Sequence, residues 1–136
     1  MQRTTIEIET NGGGLYEVTD DVARFVADGR DSSGLVHLFL RHTSASLLIQ
    51  ENADPDVRRD LQTFFTRLVP EGMAWITHTT EGPDDMPAHI KAALTQTALT
   101  IPIEAGRLLL GRWQGIYLFE HRSRPHSRQV ILSLSD

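Results

Sequence analysis

LVHLFLRHTSASLLIQENADPD, residues 35–56, decides the fold class. Over 35–42 the side chains alternate. Val36, Leu38, Leu40 and His42 share one face, and Leu35, His37, Phe39 and Arg41 share the other. A period of two predicts a strand. SASLLIQ (44–50) is extended again, with no helical segment before it. Parallel neighbours need a crossover of a dozen residues or more, and two strand-to-strand steps of this chain lack helices, which argues against a purely parallel sheet. Asp54 and Pro55 then open the clearest helix of the chain. Asp54 can cap it and Pro55 suits its first position. Val57, Leu61, Phe64, Phe65 and Leu68 recur at helical spacing until Pro70.

Working outward, TTIEIET (4–10) alternates and reads as a strand, and NGGG (11–14) as a flexible connection. Thr19 can cap a short helix with Val22, Phe25 and Val26 as its stripe and Gly29 as its stop. MAWITHT (73–79) reads as a strand, followed by an acidic loop and a helix that Pro87 starts. Leu99, Ile101 and Ile103 alternate. Residues 108–119 read as one long extended stretch, bent at Gly111 or Gly115, and QVILSLS (129–135) as a last strand. The expected fold is α+β, a mainly antiparallel sheet or sandwich of about seven strands with about three short helices on its margin.

A length of 136 residues suits one domain, spanning 1–136, and can bury a core without staples. The net charge of −5 argues against a nucleic-acid binder, which would show a basic face. The absence of cysteine excludes disulfides, thiolate catalysis and Cys-ligated zinc. No apolar run reaches the roughly 18 residues of a membrane span, and MQRTTIEIET has no signal-peptide core, so the expected location is cytoplasmic with no membrane partner.

Polar chemistry concentrates in three clusters. The first starts at His42 and runs through Thr43, Ser44 and Ser46 to Glu51, Asn52 and Asp54. His42 alone reads equally as a hydrogen-bonded core histidine at a strand end. The second, HTTEGPDDMPAH (78–89), joins His78 and His89 to Glu81, Asp84 and Asp85. Carboxylate oxygens and imidazoles together suit Mg²⁺, Mn²⁺ or Zn²⁺, although the spacing matches no local metal motif. Asp84 and Asp85 are consecutive, so they point in different directions. The third, RWQGIYLFEHR (112–122), carries Gln114, Glu120 and His121, with Arg112, Arg122, Arg124 and Arg128 at its basic end. Arginine forks suit phosphate, but such residues are often solvated or ion-paired. His37 and His126 read as strand surface and loop.

HTSASLLIQENADPDV, EGPDDMPAHIKAAL and GRWQGIYLFEHR, in this order, resemble the YjbQ-like family, and the resemblance runs from about residue 3 to 134. It implies a compact β-rich α+β fold and a homotrimer. It also implies a divalent metal, with zinc favoured, held by histidines: His78, His89 and His121, with His42 close by. Mg²⁺ is an option where the substrate is a diphosphate. The activity often assigned to such proteins is a secondary thiamine-phosphate synthase, which joins a pyrimidine diphosphate to a thiazole phosphate and releases pyrophosphate. The positions matching candidate catalytic residues are His42, Asn52, Asp84, Asp85, Gln114 and Glu120. A diphosphate leaving group needs cationic support, and Arg41, Lys91 and Arg122 are the candidate cations for a phosphorylated small molecule. Two departures stand out. Arg112 replaces a usual threonine, and SRPHS (123–127) replaces a turn rich in aspartate, histidine and glycine. A metal-dependent hydrolase and a non-catalytic trimer that binds a small anion remain the alternatives.

Overall fold

The computed structural model describes residues 2–29 and 33–136. It is an α+β structure in which every strand pairing is antiparallel. The elements are β1 (Arg3–Asn11), β2 (Gly14–Glu17), α1 (Thr19–Asp28), β3 (Gly34–Leu40), β4 (Ala45–Glu51), α2 (Pro55–Leu68), α3 (Asp85–Leu94), β5 (Ala98–Glu104), β6 (Arg107–Leu108), β7 (Gln114–Glu120) and β8 (Pro125–Ser135). A five-stranded sheet has the order β1-β8-β3-β5-β6, and a three-stranded sheet the order β2-β7-β4. The step from β3 to β4 passes from one sheet to the other, as the short 41–44 connection requires.

Alternation explains the core. Val36, Leu38 and Leu40 of β3 are buried, as are Val130, Leu132 and Leu134 of β8 and Ile101 and Ile103 of β5. They join Ala45 and Leu47 of β4, Ile116 and Leu118 of β7, and Val22 and Val26 of α1 in one cluster. β7 is buried on both faces. Ile116 and Leu118 point into that cluster, while Phe119 meets Phe65 of α2 edge to face at 5.4 Å between ring centres. Tyr117 accepts a bond from Arg58 of α2 at 3.2 Å.

The structure corrects several of these expectations. Residues 73–79 form no strand. Ile76 N–H bonds back to Met73 O in a turn, and Trp75 is exposed, so no neighbouring strand takes up this backbone. The 11–14 connection runs into β2, which pairs with β7. Residues 108–119 divide into β6 and β7, separated by a turn that Gln114 closes by accepting Gly111 N–H at 2.7 Å. Thr19 caps nothing: its hydroxyl donates to Glu17 and accepts Ile116 N–H. α3 begins at Asp85, two residues before Pro87, so His89 sits beyond its first turn. His126 lies at the start of β8 rather than in a loop. Asp54 does cap α2, accepting Asp56 N–H at 2.9 Å. No helix among the described residues is long and apolar enough to cross a membrane.

One buried ion pair ties the two sheets together. Glu120 on β7 is 1% exposed and Arg128 on β8 is 3% exposed. Arg128 pairs with both carboxylate oxygens and donates to Ser44 O and Oγ, and Thr10 of β1 adds a 2.7 Å bond. Backbone N–H groups of His121 and Arg122 fill the remaining acceptor sites at 3.1 Å each. Burial works against the Glu120 charge, but these donors outweigh it and hold the carboxyl below its ordinary range. Breaking a pair of this kind strands a buried charge. Arg128→Met is therefore expected to lose about 3–5 kcal/mol in urea unfolding. Removing both charges in Glu120→Leu/Arg128→Met is expected to recover much of that loss, and equal losses in the single and double variants would contradict this role for the pair.

Candidate functional site

The acidic loop and α3 build the one cluster with metal-ligand geometry among the described residues. His78 Nε2 lies 2.7 Å from Asp85 Oδ2, and His89 Nε2 lies 3.0 Å from the same oxygen. One ligand atom from each of His78, Asp85 and His89 can be chosen so that all three lie within 4.8 Å of one another. Asp85 and His89 are four residues apart on α3, which puts both on one face of the helix. His78 reaches them from the loop before it.

The orientation of His89 is informative. Its Nδ1 lies 2.9 Å from the carbonyl oxygen of Thr43, which can only accept, so Nδ1 carries a proton. In the neutral ring, Nε2 then presents a lone pair to the Asp85 carboxylate. Two acceptors at 3.0 Å need a cation between them, either a proton on the ring or a metal ion.

Asp85 is buried, and its other oxygen is occupied: Arg122 Nη1 lies 2.8 Å from Oδ1. Arg122 Nε donates to Asp84 Oδ2 at 2.9 Å and Nη2 to Glu81 O at 3.0 Å. Asp84 also accepts Ser123 N–H and Oγ–H at 2.9 and 3.1 Å. The consecutive aspartates therefore face apart, Asp85 to the histidines and Asp84 to the backbone after β7. Burial opposes both negative charges. Arg122 and Ser123 overcome it at Asp84, and His78, His89 and Arg122 at Asp85, so both carboxyls lie below the ordinary range. The bond to Asp84 in turn raises Arg122.

The other sequence-predicted residues lie elsewhere. His121 is not part of the three-group cluster. Its Nε2 is 2.9 Å from Ser46 Oγ, its ring packs on Phe119 with centres 4.4 Å apart, and its Nδ1 is buried without a partner among the described residues. Burial first, and then the charge of Lys91, pushes His121 down to about 3. His42 accepts Gln129 N–H at 2.8 Å beside Arg128, and burial followed by that guanidinium lowers it as well. Glu120 is enclosed in the ion pair that joins the sheets. Asn52 donates to Glu17 at 3.3 Å, and Gln114 closes its turn. Both sit at the far end of β7 from His121, about 20 Å away at strand rise. Arg41 is exposed, and its N–H pairs with Gln129 O. Lys91 lines a cavity on another face of α3, lowered by burial against the opposing pull of Glu71 and Asp84. The sequence marks Thr43 for its hydroxyl, whereas its backbone carbonyl is the group that reaches His89, and no sequence signal singles out Ser123, which anchors Asp84. Neither role depends on a distinctive side chain.

These features define an antiparallel two-sheet α+β protein with a carboxylate-bridged histidine pair. The chain belongs to the YjbQ/UPF0047 family, whose description, UPF0047 protein YjbQ-like, matches residues 4–136. It is 54% identical to UPF0047 protein sll1880 of Synechocystis sp. over 94% of this chain and 87% of that one. It is 45% identical to UPF0047 protein YjbQ of Escherichia coli O157:H7 over 96% and 94%. The crystal structure of the conserved hypothetical protein TT1486 from Thermus thermophilus superposes with a TM-score of 0.88 at 36% identity, covering 97% of this chain and 99% of that one.

His121 sets an acid sensitivity. Its folded value is about 3 against an ordinary 6.5, so the unfolded chain takes up this proton first as pH falls. Its contribution is neutral above pH 6.5 and grows more destabilising down to about pH 3. Between pH 6.5 and 4.5 the wild type is expected to lose about 2–3 kcal/mol more than His121→Gln in urea unfolding. Parallel pH profiles for the two proteins would contradict the assignment.

Proposed function

We propose that the protein is a divalent-metal enzyme acting on a small phosphorylated molecule, with His78, His89 and Asp85 as the protein ligands. The observation that carries this reading is the His89 tautomer: Thr43 O fixes the proton on Nδ1 and turns the Nε2 lone pair toward Asp85 Oδ2. Two imidazoles and a carboxylate suit zinc, and Arg122 on Oδ1 leaves Asp85 a single free oxygen. Three protein donors are the number found at catalytic rather than structural zinc, where a position stays open. A bound ion would supply Lewis-acid polarisation of a phosphate or water oxygen.

The surroundings suit a substrate with an apolar part and a charged part. His78 lines a cavity of about 270 Å³ with Met73, Ile76 and Pro83. A second cavity of about 440 Å³ runs from Glu81 past Arg122 and Ser123 to Arg124. Arg122 is held on all three nitrogens, so Arg124 is the guanidinium left to meet a phosphate. Thiamine-phosphate synthesis is the specific reaction we put forward. In it the thiazole nitrogen attacks the pyrimidine methylene, and the C–O bond to diphosphate breaks with its electrons leaving on pyrophosphate. Charge on that leaving group is what cationic groups here would stabilise.

We further propose a homotrimer. Trp75 and Trp113 are 65% and 54% exposed, and Phe64, Leu68, Leu94 and Leu109 are also more than half exposed. Side chains of this size left open to water are suited to burial against another copy of the chain. A head-to-tail ring would cover unlike patches, such as the loop at Trp75 and the turn at Trp113. Light scattering at micromolar concentration is expected to give three times the 15.3 kDa chain mass, and a monomer would refute it.

Purified protein is expected to carry close to one divalent ion per chain by plasma emission, and His78→Ala and Asp85→Asn to lose most of it with unchanged circular dichroism. Thiamine-phosphate formation is expected to fall at least about ten-fold in both variants, consistent with loss of metal support. Equal metal content in wild type and variants would refute the site. Metal loss without any change in turnover would refute its part in the reaction.

A further inference from the structure

A second site lies on the opposite side of α3 from the histidine pair. Asp85 and His89 share one face of the helix, and Asp84, Pro87 and Lys91 share another. The second face closes a cavity of about 200 Å³ against the C-terminal half of α2 and residues 121–123. Three donors on its wall lack acceptors among the described residues. The Lys91 ammonium is part-buried with no hydrogen-bond partner, and Glu71 and Asp84 reach it only as charges at longer range. The Gln62 side-chain amide lines the same wall with no hydrogen-bond partner.

His121 is the third. Ser46 is fully buried, and among the described residues its hydroxyl has no acceptor other than His121 Nε2, so it donates there. The proton of the neutral ring is therefore on Nδ1, which is buried and unpartnered. Buried polar groups are normally satisfied, so the enclosed Nδ1–H of His121 calls for an acceptor from outside the chain, and the part-buried Lys91 and Gln62 donors beside it suit the same group. Of the carboxylates on the wall, Asp84 is already held by Arg122 and Ser123, which leaves the exposed Glu71.

We propose that this cavity binds one small anionic group, the phosphate or carboxylate end of a metabolite, with Lys91 as the charged donor and His121 and Gln62 as neutral ones. The volume is below the roughly 300–1,000 Å³ of pockets that enclose drug-sized ligands, so it takes one end of a molecule rather than the whole. The site is independent of the metal reading and does not require it.

Calorimetric titration of the metal-free full chain with inorganic phosphate, and separately with acetate, tests this. At least one probe is expected to bind; the tighter one identifies the source of the group as phosphate or carboxylate. Lys91→Met is expected to weaken that binding by about ten-fold or more, as loss of a charge-assisted donor does. Glu71→Gln is expected to strengthen it, and His78→Ala, at a residue outside this cavity, to leave it unchanged. Should Lys91→Met fail to fold, Gln62→Ala carries the test with about a three-fold loss. Binding of neither probe at about 50 mM, or equal binding by wild type and the lysine variant, would overturn the proposal.

Discussion

The guanidinium of Arg122 organises the candidate site. Each of its three nitrogens has a separate partner: Nε on Asp84, Nη1 on Asp85 and Nη2 on the carbonyl of Glu81. The fork therefore fixes the acidic loop and the start of α3 against the end of β7. It also makes the two aspartates different. Asp84 is drawn into the backbone turn at Ser123, and Asp85 keeps one oxygen for the histidines. A lysine, with a single point charge, could not hold three partners in this planar arrangement.

Behind the fork stands the Glu120–Arg128 pair. It is almost wholly enclosed, with Glu120 accepting from Thr10, Arg128 and two backbone N–H groups, so its role is to hold β7 of one sheet against β8 of the other. His42 belongs to the same structural layer through Gln129. Polar residues adjacent in sequence are thus divided by the fold. Glu120 works in the core, His121 faces the Lys91 cavity, and Arg122 orders the histidine pair.

The β3 and β8 strands were legible because each buries one face, and a period of two follows directly from that. The helix at 55–68 was legible from its cap and its proline, which act locally. The error at 73–79 has a physical cause. MAWITHT has strand composition, but Trp75 is exposed and no strand lies alongside, so composition alone could not reveal the missing partner. At the site, the histidines and aspartates of 78–89 were readable because their chemistry is unusual for a turn. That Asp85 rather than His121 accompanies His78 and His89 depends on the helical spacing of 85 and 89 and on the β7 end turning His121 inward, and both are tertiary facts. The engagement of Arg122 and the position of Thr43 O could not be read from the sequence at all.

His78, His89 and Asp85 are proposed to form an open metal site. Anomalous diffraction at the zinc edge, from crystals grown with one equivalent of Zn²⁺ per chain, tests it most directly. The predicted result is one strong peak about 2.0–2.2 Å from His78 Nε2, His89 Nε2 and Asp85 Oδ2, with the remaining position filled by a non-protein oxygen. A peak ligated by His121, one enclosed by four protein groups, or no peak at these residues would contradict it.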